Sequence, residues 1–483
     1  MTTTDPTDWP PSFRAALEQP SLARRGWQAN LAPQLIGLFL WIAYFDQIPA
    51  ETLGRSGLLW PVAGAAIGGI LGYLCLYRSP ALWGQRTGRP IAVLAARTFG
   101  VRGASWLPGL PFALVQVVWL AISTGYGTTL CLTGLELLGL LDPGFHRPVR
   151  VAGLDLPGHL FLIASLAWTL ACSLTGRYLI RVISALMNVY PILPALLLGL
   201  TAAVALKGLP DYQAEVSRIG SDGGEGGVVV ALVVVQFIFA FFSAASLLAA
   251  DWGAVCRRES DVKLGGWVGV IFASWVVATL ALLSVAGAFT RYGLRVPVGP
   301  GSFSALTFSH AVRTLIGGKA GGMVLIGFGL TALAPACYSA HLLGEGLHTL
   351  QPRVSRTYWG VTGALLAWVL IVTGRVQHLL PVYSLIGAVF APISGAIAAD
   401  YVRSRGRWPA ARRGWNGPGW LSWAVGLVVG LTPLVGSLLG NPRLAAIQPA
   451  AVFAFVFSFL TYLALALLGG ESPDEPIPPL VEN

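Results

Sequence analysis

A chain of 483 residues, 55% of them apolar and only 11% charged, with a mean hydropathy of +0.69, excludes a water-soluble fold. An ordinary globular domain carries about 25% charged residues. The net charge of +10 fits contact with anionic lipid heads better than nucleic-acid binding, because the basic residues sit in short loops between apolar runs and not on one face.

Residues 1–30 form a polar segment with no apolar core followed by a small-residue cleavage site, so the first span is expected to direct insertion itself. Twelve apolar segments follow, at roughly 31–53, 58–76, 105–134, 157–175, 180–206, 227–250, 264–288, 320–344, 357–373, 378–401, 418–438 and 448–469. Each is near the ~20 residues that a helix needs to cross a bilayer. An all-α polytopic membrane protein with about twelve transmembrane helices is expected. The basic loops fall on one side: Arg86, Arg89, Arg97 and Arg102; Arg257, Arg258 and Lys263; Arg403, Arg405, Arg407, Arg412 and Arg413. The acidic stretch from Asp211 to Glu225 falls on the other. The positive-inside rule then places both termini in the cytoplasm. Lysine occurs only at Lys207, Lys263 and Lys319, a bias that suggests a GC-rich bacterial genome and hence a bacterial inner membrane.

In chain order, the first chemically distinctive place is span 1, where WIAYFDQIPAETLG sets Asp46, Gln47, Pro49 and Glu51 inside an apolar run. A carboxylate there costs at least ~2.5–3.5 kcal/mol, which marks a relay, an ion site or a ligand contact. The bland alternative is an N-cap for a short helix beginning near Ala50. Gln47 offers a donor and an acceptor that suit a heterocycle edge, or serves only to satisfy broken backbone. A basic, glycine-punctuated loop then leads through Gly100, Gly103 and Pro108 into span 3 and its Trp119. Span 5 carries hinge prolines at Pro191 and Pro194. Span 6 lacks Pro or Gly between Val228 and Ala250, so only Ser243, Ala244, Ala245 and Ser246 offer a place to break. Asp251 and Asp400 close spans 6 and 10 beside arginines, which points to charge pairing at the cytoplasmic interface. The loop 292–318 contains an amphipathic stretch expected to lie on the outer surface as a lid. His341, Glu345 and His348 share one helical face, read here as solvated and not as a metal site.

Two stretches carry a resemblance. The loop into span 3 reads RTGRPIAVLAARTFGVRGASWLP from Arg86, and span 10 ends in APISGAIAADYVRSRGRW. They are similar to the TG…LAR-SFGV-(R/K)-G…WLP and PxxGxxxADY runs of the nucleobase:cation symporter family, nearest to its cytosine permease branch. The resemblance covers about 35–405. It implies a leucine-transporter-type fold: inverted repeats of five helices at 31–206 and 227–402, accessory spans within 418–469, and a tail at 470–483. Unwound backbone at the break of each repeat's first helix would line the substrate cavity. Trp119 would be one aromatic plate and Phe242 the other, with Phe241 or Phe239 in its place if the register slips. Ser243 would lie beside that plate, and Ala336 and Tyr338 in the span-8 window. Ser123 stands where many relatives have Gln. The window from Thr331 to Tyr338 is largely apolar, so sodium ligands are sparse and Asp46 becomes the candidate proton carrier.

Three classes of function are left: a secondary transporter of a nucleobase, hydantoin or similar planar heterocycle; a transporter of an amine or amino acid; and a non-transporting sensor or enzyme. An enzyme needs converging acid, base or nucleophile groups, which the spans lack. Five cysteines in no ligand spacing imply neither disulfides nor zinc, no ATP-binding motif is present, and no cofactor is expected. The predicted orientation has a direct test. In a cysteine-free background, a cysteine at Arg405 should resist impermeant thiol reagents in intact cells, and one at Gly224 should react.

Overall fold

A computed structural model of the chain describes residues 13, 17, 25–28, 48–142, 149–151, 154–187, 190–213, 226–289, 307–375 and 379–474. Among these, ten helices are long and apolar enough to cross a membrane. They are span 2 (Leu59–Thr87), span 3 (Ser105–Leu137), span 4 (His159–Tyr178), span 5 (Ile192–Gln213), span 6 (Gly226–Ala254), span 7 (Glu259–Phe289), span 8 (Gly318–Leu350), span 10 (Leu379–Arg403), span 11 (Gly417–Leu438) and span 12 (Ala450–Leu467). Arg356–Val372, with 17 residues, occupies the place of span 9. Most of span 1, including Asp46 and Gln47, lies outside the described residues.

Several spans are interrupted, each where the local sequence permits it. Span 5 starts afresh after Pro191, which ends the turn that follows a short helix at Ile180–Leu186. Span 6 changes to a tight 3-10 turn at Ser246–Leu248, between Gly226–Ala245 and Ala249–Ala254. The turn thus begins at Ser246, at the inner edge of the small-residue stretch. Span 8 is divided between Gly318–Leu330 and Leu333–Leu350. One element departs from the all-α expectation: β1 (Val149–Val151) and β2 (Leu154–Leu156) pair antiparallel between spans 3 and 4.

Close packing relies on small residues, as expected where lipid supplies no hydrophobic drive between helices. Gly84 of span 2 faces the backbone carbonyl of Ala250, and Gly253 of span 6 faces that of Ala81, so the inner halves of the two spans touch backbone to backbone. Gly208 and Gly287 bring spans 5 and 7 together in the same way. Spans 10, 11 and 12 close on one another through Gly395, Gly426 and Gly430.

A charged network ties one end of the bundle. Asp400, at the inner end of span 10, is fully buried. Its partner is Arg97 from the loop helix Ile91–Phe99, at 3.3 Å, and not the neighbouring Arg403 or Arg405. Thr98 Oγ1 donates to the other carboxylate oxygen at 3.1 Å. The start of the tail joins in, with Glu471 pairing with Arg403 and Arg412 and Asp474 standing 3.7 Å from Arg97. Asp251 departs from expectation in a different way. Its carboxylate accepts from the Ile91 amide at 3.4 Å and caps the loop helix, with no ion pair among the described residues.

The reciprocal glycine contact predicts that Gly253→Val cannot be accommodated without moving backbone. A loss of at least ~1–3 kcal/mol is expected from overpacking. Gly199→Val, which meets open space, should be nearly neutral. Thermal unfolding of the two purified variants beside wild type checks the difference.

Candidate functional site

Span 3 supplies the centre. Trp119 is 7% exposed, and its indole meets two rings from other spans. Phe241 of span 6 stands edge-on at 5.7 Å, and Tyr383 of span 10 is tilted against it at 5.6 Å. Tyr383 in turn lies 5.6 Å from Phe237, one helical turn from Phe241. Phe242 faces elsewhere, with its ring over Gly72 of span 2. The span-6 ring against Trp119 is therefore Phe241, the neighbour of the residue carried over from the resemblance. Tyr383 was not singled out from the sequence, because a lone tyrosine in an apolar run carries no local signal.

The polar inventory is small. Ser123, one turn above Trp119, is fully buried, and its hydroxyl has no hydrogen-bond partner among the described residues. Ser243 gives its hydrogen to Ala240 O at 2.7 Å. Ser246, at the span-6 turn, bonds Ser394 of span 10 at 2.8 Å. Ala336 is fully buried and has no side-chain polar atom, while Tyr338 is partly buried on the same helix. At the end of span 3 nearer its N-terminus a cavity of about 240 Å³ is bounded by Phe112, Leu247, Leu342, Glu345 and Phe13. Glu345 is held by Arg356 at 3.1 Å, and His348 Nδ1 lies 2.8 Å from Val354 O, so the helical face that they share is engaged locally. The amphipathic stretch forms the helix Phe308–Leu315, with Phe308 packed on Phe328 at 5.4 Å and Arg313 3.3 Å from Glu136.

A bundle of interrupted apolar helices around a small aromatic site defines a multi-pass membrane protein of the transporter type. Residues 38–463 match the family described as permease for cytosine/purines, uracil, thiamine, allantoin, and the chain belongs to that family. A protein of Escherichia coli (strain K12) named as an allantoin permease is 23% identical over 266 residues, and this chain spans about half (54%) of its length. Among solved structures, the inward-facing conformation of Mhp1 superposes with a TM-score of 0.63 at 18% identity, covering 94% of each chain. Mhp1 in a closed conformation with bromovinylhydantoin bound gives 0.59, over 94% of this chain and 96% of that one. A Na+-coupled sialic acid symporter gives 0.57 at 14% identity, over 96% and 93%. The fold is common to all of these.

If Trp119 and Phe241 hold a planar ring, Trp119→Ala and Phe241→Ala should each weaken binding by about 1–3 kcal/mol. Phe242→Ala, which removes a ring turned toward span 2, should cost less than either. Calorimetric titration with uracil, cytosine and hydantoin on folded variants checks the ranking.

Proposed function

We propose that the protein is a secondary transporter of a small planar cyclic amide, a nucleobase or a hydantoin-type ring, moved together with a proton. The observation that carries this reading is the contact of Trp119, Phe241 and Tyr383, rings from three spans, in a chain of this permease family. An aromatic face suits a flat heterocycle, whereas an amino acid or amine would call for a charge partner that the described site lacks. The hydantoin ring is favoured within the class, since one relative is named for allantoin and one structural neighbour holds a hydantoin. The inverted repeats are assigned to 31–206 and 227–402, with both termini on the cytoplasmic side of a bacterial inner membrane.

Proton coupling rests on Asp46 as the carrier. Sodium would need several oxygen ligands from spans 1 and 8. In the span-8 window side-chain oxygens are sparse: Thr331 and Tyr338 carry one each, and Ala332 to Cys337 contribute none. Ser339, just beyond the window, is the hydroxyl that a sodium mechanism would recruit. Asp46, Gln47 and Ser123 are assigned to the ring's polar groups, with Ser243, Ala336 and Tyr338 shaping the wall.

Uptake into proteoliposomes should be independent of sodium and abolished by a protonophore. Asp46→Asn should still bind substrate but no longer concentrate it. Sodium-stimulated uptake at constant pH that persists in Asp46→Asn would replace the proton with sodium.

A further inference from the structure

Phe112, Gln116, Trp119 and Ser123 fall at i, i+4, i+7 and i+11 of span 3, a single stripe of the helix. Phe112 lines the inner cavity at the lower end, and Trp119 meets Phe241 and Tyr383 above it. Gln116 lies between them, about 4.5 Å along the axis from Trp119. Its side chain is only 3% exposed. Its Nε2 donates to Phe112 O at 3.3 Å, and the amide makes no other hydrogen bond among the described residues.

That leaves one N–H and the carbonyl oxygen of a buried primary amide without partners. Such an amide has two donors and an acceptor with two lone pairs. The amide keeps a little accessible surface, 3% of the residue, so these groups are nearly enclosed yet free to meet a ligand. A buried amide on span 6 offers a contrast: Gln236 accepts from the Ala451 amide at 2.8 Å and serves packing between spans 6 and 12.

We propose that Gln116 reads the cyclic-amide edge of the transported ring. Its Oε1 accepts from a ring N–H while its free Nε2–H donates to the adjacent ring carbonyl, a two-bond pairing that a lactam or imide edge completes. The ring's face rests on Trp119 and its polar edge points inward, toward the cavity bounded by Phe112 and Leu247. Ser123, on the outer side of Trp119, has one hydroxyl and cannot make the paired contact. The assignment rests on the heterocycle reading and adds the feature by which the ring is recognised.

The test uses the full chain purified in lipid nanodiscs and two probe pairs: uracil with 1,3-dimethyluracil, and hydantoin with 1,3-dimethylhydantoin. Methylation removes the ring N–H donors and keeps the flat face. Gln116→Met keeps the side-chain length, and Gln116→Glu retains an acceptor without the amide donor. Gln116→Met should lower affinity for the parent ring about tenfold, as expected for two neutral hydrogen bonds, and leave the dimethyl ring nearly unchanged. The parent-to-dimethyl ratio should therefore collapse, with Gln116→Glu falling between. An equal loss for both rings, or an unchanged ratio in Gln116→Met, would overturn the edge-reading role alone. If the wild type binds neither uracil nor hydantoin, the heterocycle reading fails and the edge-reading role with it.

Discussion

Asp400 has no exposed surface, and a carboxylate cannot be left there alone. Arg97 answers it, and Glu471 and Asp474 balance the arginines that gather around the pair. Breaking a buried pair of this kind typically costs about 3–5 kcal/mol, because the remaining charge stays buried without compensation. The geometry that follows is wide-reaching. Span 10, the loop helix Ile91–Phe99, the stretch from Ala410 to Asn416 and the start of the tail become a single inner platform. Backbone bonds complete it: the Val101 amide donates to Arg412 O at 2.9 Å, and the Arg412 amide to Ala96 O at 3.1 Å. From that platform span 10 rises as a continuous helix, so Tyr383, about 26 Å up its axis, comes to rest on Trp119.

A second constraint acts on span 6. Its inner piece, Ala249–Ala254, lies so close to span 2 that Gly84 and Gly253 face carbonyls directly. The outer piece is held as tightly, with Gly64 against the backbone of Ala231 and Gly68 against Ile238. With both ends held, the change in winding falls between them, at Ser246–Leu248, one turn from Phe241. Ser246 uses its hydroxyl to reach Ser394, so the turn in span 6 and the middle of span 10 are joined at the level of the site. Two helices that each carry a ring against Trp119 are thereby coupled to one another.

How far the sequence reveals this depends on the range of each signal. Span positions follow from hydropathy, a property of about 20 neighbouring residues, and most agree with the described helices within a few residues, although span 2 runs on to Thr87, span 5 starts only at Ile192 and span 8 reaches Leu350. Trp119 is legible because the preceding loop motif fixes its register. Phe241 and Phe242 are adjacent, which on a helix is about 100° of rotation, and no pattern in an all-apolar run says which faces inward. Spans 6 and 10 are buried on most sides, so their periodicity is weak. Arg97 and Asp400 could be read as charged residues near helix ends, but their pairing joins distant parts of the chain. Charge type alone favoured the nearer arginines. The β1–β2 hairpin is too short for alternation to show.

The described part of the site is poor in polar side chains. The fold is shared by a protein holding a hydantoin derivative and by a sialic acid symporter, so architecture does not choose the cargo. Selectivity must come from side chains, and an apolar wall discriminates weakly: a methylene more or less is worth only about 1–3 kcal/mol. Buried hydrogen-bonding groups discriminate far more strongly, because a cargo that fails to pair them leaves them unsatisfied. In the described part of the site such groups are few, and two of them, Gln116 and Ser123, flank Trp119 on one stripe of span 3. On the proposed transport reading, the aromatic rings set the plane of the cargo and the polar groups on that stripe set which edges it must present. Phe241 and Tyr383 both rest on Trp119, so on the same reading a flat cargo would part them from it to occupy the plane. Tyr383 and Phe241 belong to the two helices joined through Ser246 and Ser394, so parting the rings acts on the contact between spans 6 and 10.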